Sequence, residues 1–224
     1  MVLRGDGPIL RKTIIETEAL KRIMLKGIPL YIPTNSGWTA AVTGSGTTSQ
    51  LVPYNEVGSG TTTGSTSRLY LTDFMLGATN TGTDFSKRIL WGFSIRRNTS
   101  DASIIARVQM KAATTEGALA GAGFGIRMAN LTLTGESYGT AGAFTATIQA
   151  MTADSIYYVM VDHEPAVPRI RFYVNGALQA TVTVAGNQPT AVVVSCALLH
   201  SILNGAGTAN GLFEVGNIFV LQEH

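Results

Sequence analysis

Two patterns of hydrophobic and polar positions divide the chain. Over residues 9–26, apolar residues recur at three- and four-residue spacings and charged residues fill the other side, which is typical of an amphipathic helix. The apolar positions of this segment are Leu10, Ile14, Ile15, Ala19, Leu20, Ile23 and Met24. Pro8 suits the start of a helix, while Gly27 and Pro29 suit its end. The pattern predicts one short helix ahead of the rest of the chain.

A helix of about 17 residues is only marginally stable alone in water, so we expect its apolar stripe to dock on another surface. The rest of the chain and a neighbouring subunit are both open as that surface. A membrane surface is disfavoured, because the polar side carries glutamates as well as lysines. We therefore assign residues 1–33 to an N-terminal arm. Its predicted assembly surface consists of Leu10, Ile14, Ile15, Leu20, Ile23 and Met24.

After Pro33 the pattern changes to that of short strands. Residues 103–111, for example, alternate Ile104, Ala106, Val108 and Met110 with Ile105, Arg107 and Gln109. About ten such segments, bounded by Gly, Pro, Asn or Asp, follow one another with no helical pattern between them. They predict an all-β fold, an antiparallel jelly-roll β-sandwich over residues 34–224. Asn175 and Gly176 lie between two of these segments and predict a type I′ hairpin turn.

The low charge of the chain narrows the classes of partner. Charged residues make up 13% of the sequence and the formal net charge is +2. General nucleic-acid binding needs a clustered basic face, and disordered chains are rich in charge, so neither is favoured. No apolar run reaches the roughly 18 residues that span a bilayer, and the first residues lack the apolar segment of a signal peptide. We expect synthesis in the cytoplasm and no nucleic-acid or membrane partner.

Residues 156–162 (IYYVMVD) and 169–181 (RIRFYVNGALQAT) are the most characteristic segments of the sequence. They resemble the signature hairpin of the concanavalin A-like lectin/glucanase sandwich, a superfamily that includes laminin G-like domains. The resemblance covers roughly residues 38–222 and implies a jelly-roll fold without fixing a function. With few charges and a Gly/Thr-rich entry, the chain looks most like such domains in tailed-bacteriophage virion proteins. Terminal arms commonly grip neighbouring subunits in that group.

The patterns that mark an enzyme or a metal site are missing from the sequence. Hydrolases on this sandwich carry alternating carboxylates, E-x-D-x-E, along one strand, and no segment has that pattern. Asp162, His163 and Glu164 are the nearest acidic cluster, but alternate residues of a strand point to opposite faces. Aspartates scattered among loops do not predict a calcium site, and the three histidines lack zinc spacing. We expect no enzymatic activity and no cofactor.

Aromatic side chains provide the candidate binding chemistry. Their rings stack on the apolar faces of sugars, while neighbouring polar groups recognise the hydroxyls. The aromatic residues in or beside loop-like sequence are candidates for a glycan platform, namely Trp38, Tyr54, Tyr70 and Tyr138.

Two functions are consistent with these features. The main expectation is a non-enzymatic structural protein of a virion, as a capsid-decorating, tail or fibre component. It would form a homo-oligomer and contact other virion proteins through its arm and loops. The alternative is a carbohydrate-binding or receptor-binding module that recognises a glycan.

Overall fold

The computed structural model describes residues 27–32, 37–50, 53–72, 83–193 and 196–223. These ranges form seventeen strands and one short 3-10 helix, Ala185–Asn187. The first eight strands are β1 (Gly27–Ile32), β2 (Thr39–Thr43), β3 (Thr47–Gln50), β4 (Tyr54–Gly58), β5 (Thr66–Thr72), β6 (Thr83–Asp84), β7 (Ile89–Arg97) and β8 (Ile104–Lys111). The others are β9 (Gly123–Ala129), β10 (Thr132–Gly139), β11 (Gly142–Ala150), β12 (Tyr157–Glu164), β13 (Arg169–Val174), β14 (Ala177–Val182), β15 (Val192–Val193), β16 (Ala197–Asn204) and β17 (Leu212–Glu223). The predicted arm helix and its assembly surface lie outside the described residues.

Two antiparallel sheets make up the sandwich, which confirms the predicted fold class. The first sheet has the strand order β14-β13-β12-β7-β17-β4-β3, with β1 also pairing with β17. The second sheet has the order β11-β10-β9-β8-β16-β5-β2. Strands β15 and β6 form a separate short ladder. Each sheet therefore has one inner face toward the other sheet and one outer face.

The core lies between the two inner faces. Because side chains alternate along a strand, every second residue reaches it. On β7 these residues include Trp91 and Phe93, whose ring centroids are 4.7 Å apart. Phe172 of β13 and Phe213 of β17 join them, and all four are at most 1% exposed. Burial of such large apolar side chains is the main force holding the sheets together.

Strand β1 is the first strand that the structure describes. It runs antiparallel to β17, from the pair Gly27 and Glu223 to the pair Ile32 and Ile218. The predicted boundary after residue 33 falls beyond this strand, so residues 27–32 pair with the first sheet. The sequence did not indicate this strand, because Gly27 and Pro29 are residues that usually end an element.

The turn at Asn175 and Gly176 confirms the hairpin prediction. Their φ angles are +49° and +87°, the two positive values that a type I′ turn requires. Val174 and Ala177 pair directly on either side of the turn. The sequence alone thus predicts both the position and the type of this connection.

One central strand, β10, was missed by the sequence pattern. Its sequence, TLTGESYG, shows little apolar alternation because Gly135 takes an inward-facing position. A Cβ atom at Gly135 would lie 2.7 Å from the Phe172 ring, so only glycine fits beneath that ring. The large ring from the opposite sheet fills the space that a side chain of β10 would otherwise take.

Candidate functional site

The centre of the second sheet's outer face is polar and yet buried. The residues of β8 that point away from the core are Ile105, Arg107, Gln109 and Lys111. Arg107 is 7% exposed, Gln109 0% and Lys111 5%. Charged side chains are almost never buried to this degree unless they are paired. This face therefore differs from an ordinary solvated sheet surface.

Neighbouring strands extend the same surface. Arg127 of β9 lies directly opposite Arg107, and Arg68 of β5 lies two strands away from Arg107 on the other side. Glu136 of β10 lies two strands from Gln109 and is itself buried. We call this surface the polar face, and it consists of Arg68, Arg107, Gln109, Lys111, Arg127 and Glu136.

Glu136 is the hydrogen-bonding centre of the polar face. The Gln109 side chain donates from Nε2 to Glu136 Oε2 at 2.9 Å, and also to the Gly117 carbonyl oxygen at 3.1 Å. Arg107 Nε lies 3.8 Å from the same Glu136 oxygen, which is an ion pair without a hydrogen bond. One carboxylate is thus shared between an amide and a guanidinium.

Much of the hydrogen-bonding capacity of the polar face is unused. Among the described residues, Nε of Arg68, Arg107 and Arg127 and Oε1 of Gln109 are buried without a hydrogen-bond partner. Neither of the two ion pairs on this face includes Lys111. Because buried polar groups are nearly always hydrogen-bonded, a group of such atoms indicates a place for water or a ligand.

Burial also lowers the pKa values of two of these cations. Desolvation lowers the pKa of Lys111 to about 8, and the Arg107 charge lowers it further against the opposing effect of Glu136. Desolvation lowers the pKa of Arg107 as well, although Glu136 again opposes the change. The carboxylates nearby therefore do not offset the removal of these cations from water.

The loop 112–122, which joins β8 to β9, lies on the polar face. Glu116 forms an ion pair with Arg68, and the Gly117 carbonyl accepts the hydrogen bond described above. Leu119 is only 5% exposed. Gly117 has a φ of +122°, a conformation that other residues rarely adopt. The loop thus holds a carboxylate and a carbonyl oxygen against the cations.

Two of the four aromatic candidates flank the polar face. Tyr70 of β5 is separated from Gln109 by one residue of β16, and Tyr138 of β10 is separated from Lys111 by Gly123 of β9. Both tyrosines point outward and are partly buried. The structure therefore places them on one surface, although they are 68 positions apart in the sequence.

The other two candidates lie elsewhere. Trp38 is 7% exposed and belongs to the core, where its ring meets the edge of His200 with centroids 5.5 Å apart. It therefore packs between the sheets and has no surface to offer a sugar. Tyr54 lies on β4 of the first sheet, close to Gly216. It is remote in the fold from Tyr70 and Tyr138.

The acidic cluster of the sequence lies on the first sheet. Its outward carboxylates belong to a group that we call the ion cluster, consisting of Arg88, Asp162, Glu164, Arg169 and Arg171. His163 points inward, and its burial lowers its pKa to about 4. The described ranges contain no group of three His, Cys, Asp or Glu side chains placed to hold a metal ion. They also contain no helix long and apolar enough to cross a membrane.

Solved structures provide a comparison for the whole sandwich. One comes from a study showing that cell entry of botulinum neurotoxin type C depends on interaction with two ganglioside molecules. It matches with a TM-score of 0.59 at 11% identity, over 92% of this chain and 50% of that one. The binding domain of botulinum neurotoxin DC in complex with SialylT matches with a TM-score of 0.54 at 11% identity, over 84% and 44%. A sialidase matches with a TM-score of 0.57 at 10% identity, over 82% and 17%.

The likeness is one of fold. This chain spans half or less of the length of each of these proteins. The two-sheet sandwich resembles the fold of the neurotoxin binding domains. No family model and no curated protein sequence matches the chain.

The residues that form the polar face were only partly visible in the sequence. The alternation over residues 103–111 placed Arg107 and Gln109 on the side away from the core, which is where the structure has them. No pattern pointed to Arg127 or Glu136, because strands β9 and β10 bring them to β8 from distant positions. The order of the strands in the sheet therefore brings the residues of the polar face together.

Proposed function

We propose that this chain is a carbohydrate-binding or receptor-binding module that holds a glycan on the outer face of its second sheet. One observation carries the proposal. The polar face contains four buried polar atoms without a hydrogen-bond partner among the described residues, and it lies between two partly buried tyrosines.

The combination suits a sugar for chemical reasons. A pyranose presents hydroxyl groups at its rim and C–H groups on its faces. Tyr70 and Tyr138 would pack against the C–H groups, while Gln109 and the guanidinium groups would bind the hydroxyls. A sugar would thereby supply the partners that the buried Gln109 Oε1 and Arg107 Nε atoms lack.

Two of the similar structures support a glycan as the ligand class. One concerns the interaction of botulinum neurotoxin type C with ganglioside molecules, and another is a neurotoxin binding domain in complex with SialylT. The support is by analogy of fold. A structural role in a virion, the main expectation from the sequence, stays a prediction.

We propose binding without turnover. Glycoside hydrolysis usually needs two carboxyl groups that are free to act as acid and as base or nucleophile. On the polar face, Glu136 already accepts a hydrogen bond from Gln109 and pairs with Arg107, and Glu116 of the covering loop pairs with Arg68.

A glycan array, followed by titration calorimetry with the strongest binder, tests the proposal. We expect saturable binding that Tyr70→Ala and Tyr138→Ala each weaken by about tenfold, the effect of losing one well-packed aromatic contact. Tyr54→Ala on the first sheet is the matched control and should leave the affinity unchanged. Equal effects of all three substitutions, or no binding to any glycan, would contradict the proposal.

A further inference from the structure

The charges on and above the polar face do not balance. Four cations belong to it: Arg68, Arg107, Lys111 and Arg127. Among the described residues, two carboxylates pair with these cations, Glu136 on β10 and Glu116 in the covering loop. The remaining excess of two positive charges lies in a region where Arg107 and Lys111 are at least 93% buried. Cations removed from water are costly unless anions or hydrogen-bond acceptors replace the lost solvation.

Arg97, a buried arginine elsewhere in the sandwich, has carbonyl oxygens in place of the water that would otherwise solvate it. Arg97 is 1% exposed, and its guanidinium donates to the carbonyl oxygens of Met128, Asp101 and Ile104 at 3.2, 2.7 and 2.8 Å. These bonds tie three segments together and make Arg97 a structural residue. In the part of the chain that the structure describes, no ion pair or side-chain hydrogen bond includes the Lys111 ammonium, which leaves it available to a ligand.

We propose that the polar face binds an anionic group of its ligand, a carboxylate or a sulfate, and that the Glu116 carboxylate occupies this place when the ligand is absent. The inference rests on the proposed function and names the class of glycan, an acidic one. Guanidinium groups bind carboxylate and sulfate oxygens with paired N–H donors, and the Lys111 ammonium adds three more donors.

Of the two carboxylates, Glu116 is the one that a ligand anion could displace. It belongs to the loop 112–122, which otherwise consists of Ala, Thr, Gly and Leu, and its side chain is 27% exposed. Glu136, in contrast, is fixed by strand β10, and its side chain is 6% exposed. Displacement of Glu116 by a ligand anion would exchange one anion for another on Arg68 and move the loop away from the cations. The polar face would then open toward the solvent.

Titration calorimetry with paired oligosaccharides tests the inference. One pair is a sulfated oligosaccharide and its desulfated form, and the other is a uronic-acid oligosaccharide and its carboxyl-reduced form. We expect one acidic form to bind at least tenfold more tightly than its neutral counterpart, as loss of charge-assisted hydrogen bonds predicts. The pair that shows the difference identifies the anion as sulfate or carboxylate.

Four variants locate the effect on the polar face. Lys111→Met and Arg127→Gln should each remove most of the preference for the acidic form, whereas Glu116→Gln should strengthen binding because it removes the competing charge. Arg169→Gln in the ion cluster of the first sheet is the control and should change nothing. Thermal unfolding of each variant verifies that it is folded.

The outcomes separate the inference from the proposed function. Equal affinity for acidic and neutral forms would overturn the anion site and leave glycan binding standing. Binding of neither form, and of no other sugar, would overturn both. Weaker or unchanged binding by Glu116→Gln would overturn the role assigned to that carboxylate.

Discussion

The outer faces of the two sheets both carry clustered charges, but they differ in how those charges are paired. In the ion cluster of the first sheet, Arg88 donates from Nε and Nη2 to the two Asp162 oxygens, each at 2.9 Å. Arg171 also donates to Asp162 Oδ2, and Arg169 donates to Glu164 at 2.7 Å. Among the described residues, Lys111 of the polar face has no such partner, and Arg107 lies 3.8 Å from the Glu136 carboxylate that it shares with Gln109.

We propose that this difference separates charges with a structural role from charges that are available to a ligand. The ion cluster adjoins a closed apolar patch, Leu90, Met160, Phe219 and Leu221, whose members are at most 7% exposed. The Phe219 ring even lies where a Cβ atom of Gly92 would be, 2.0 Å from its Cε1. Among the described residues, every member of the ion cluster takes part in an ion pair, whereas Lys111 and Arg127 of the polar face take part in none. Charge pairing, more than charge count, is therefore the guide to function here.

The largest effect is expected from breaking the ion cluster. Asp162→Ala removes the carboxylate, 1% exposed, that serves both Arg88 and Arg171. We expect the free energy of unfolding to fall by about 3 kcal/mol, because the two partly buried guanidinium groups lose their partner. Urea unfolding measures the change. Glu214→Ala is the control, because its partner Arg96 is 42% exposed and such pairs contribute less than about 1 kcal/mol. A loss of similar size in both variants would remove the distinction between the faces.

A substitution on the polar face should change the free energy of unfolding in the opposite direction. Lys111→Met replaces a 5% exposed lysine, which forms no ion pair with the described residues, by an apolar side chain of similar length, so we expect the free energy of unfolding at pH 7 to rise by about 1 kcal/mol. Urea unfolding again provides the measurement, with the exposed Lys87→Met as a control that should be neutral. A loss of stability in Lys111→Met would mean that the lysine has a structural role like that of Arg97.

The smallest effect is a dependence on pH that comes from Lys111 of the polar face. The Lys111 pKa is about 8 in the folded chain against 10.5 for the ordinary side chain. Between these values the unfolded chain binds more protons than the folded chain, so the stability contributed by this group rises with pH. The groups that face Lys111 are Arg68, Arg107, Glu116 and Glu136. Unfolding of wild type and Lys111→Met from pH 7 to pH 10 should show the stability advantage of the variant shrinking.

Ligand affinity should change in the reverse direction over the same range. Above pH 8 Lys111 loses its proton, so an acidic oligosaccharide should bind less tightly to the wild type. The Lys111→Met variant should show no such fall. The account of Lys111 would be contradicted if neither the stability advantage of Lys111→Met nor the affinity of the wild type for the acidic oligosaccharide changed with pH.

The fold could be predicted from the sequence because it depends on local patterns. The alternation of β8 and the turn at Asn175 and Gly176 are each contained in a few consecutive residues, and the structure has both. The sequence does not predict strand β10, because Gly135 interrupts its alternating pattern. The role of Gly135 depends on a phenylalanine from the other sheet. Long-range packing of this kind leaves no periodic signal in the sequence.

The candidate site was less accessible to sequence reasoning for the same reason. Tyr70 and Tyr138 were selected as aromatic residues, but their common surface is set by the strand order β10-β9-β8-β16-β5. Trp38 was selected on the same grounds and is buried against His200, since a loop-like sequence does not show which side chains fold inward. The charge imbalance emerges only when four strands and a loop are placed together.

A structure of the protein with a bound acidic oligosaccharide tests the central claim most directly. The account predicts that the sugar lies on the outer face of the second sheet, with its anionic group within hydrogen-bond distance of Lys111 and Arg127. It also predicts that Glu116 no longer contacts Arg68. A sugar bound at the first sheet, or on the polar face with Glu116 still paired to Arg68, would contradict it.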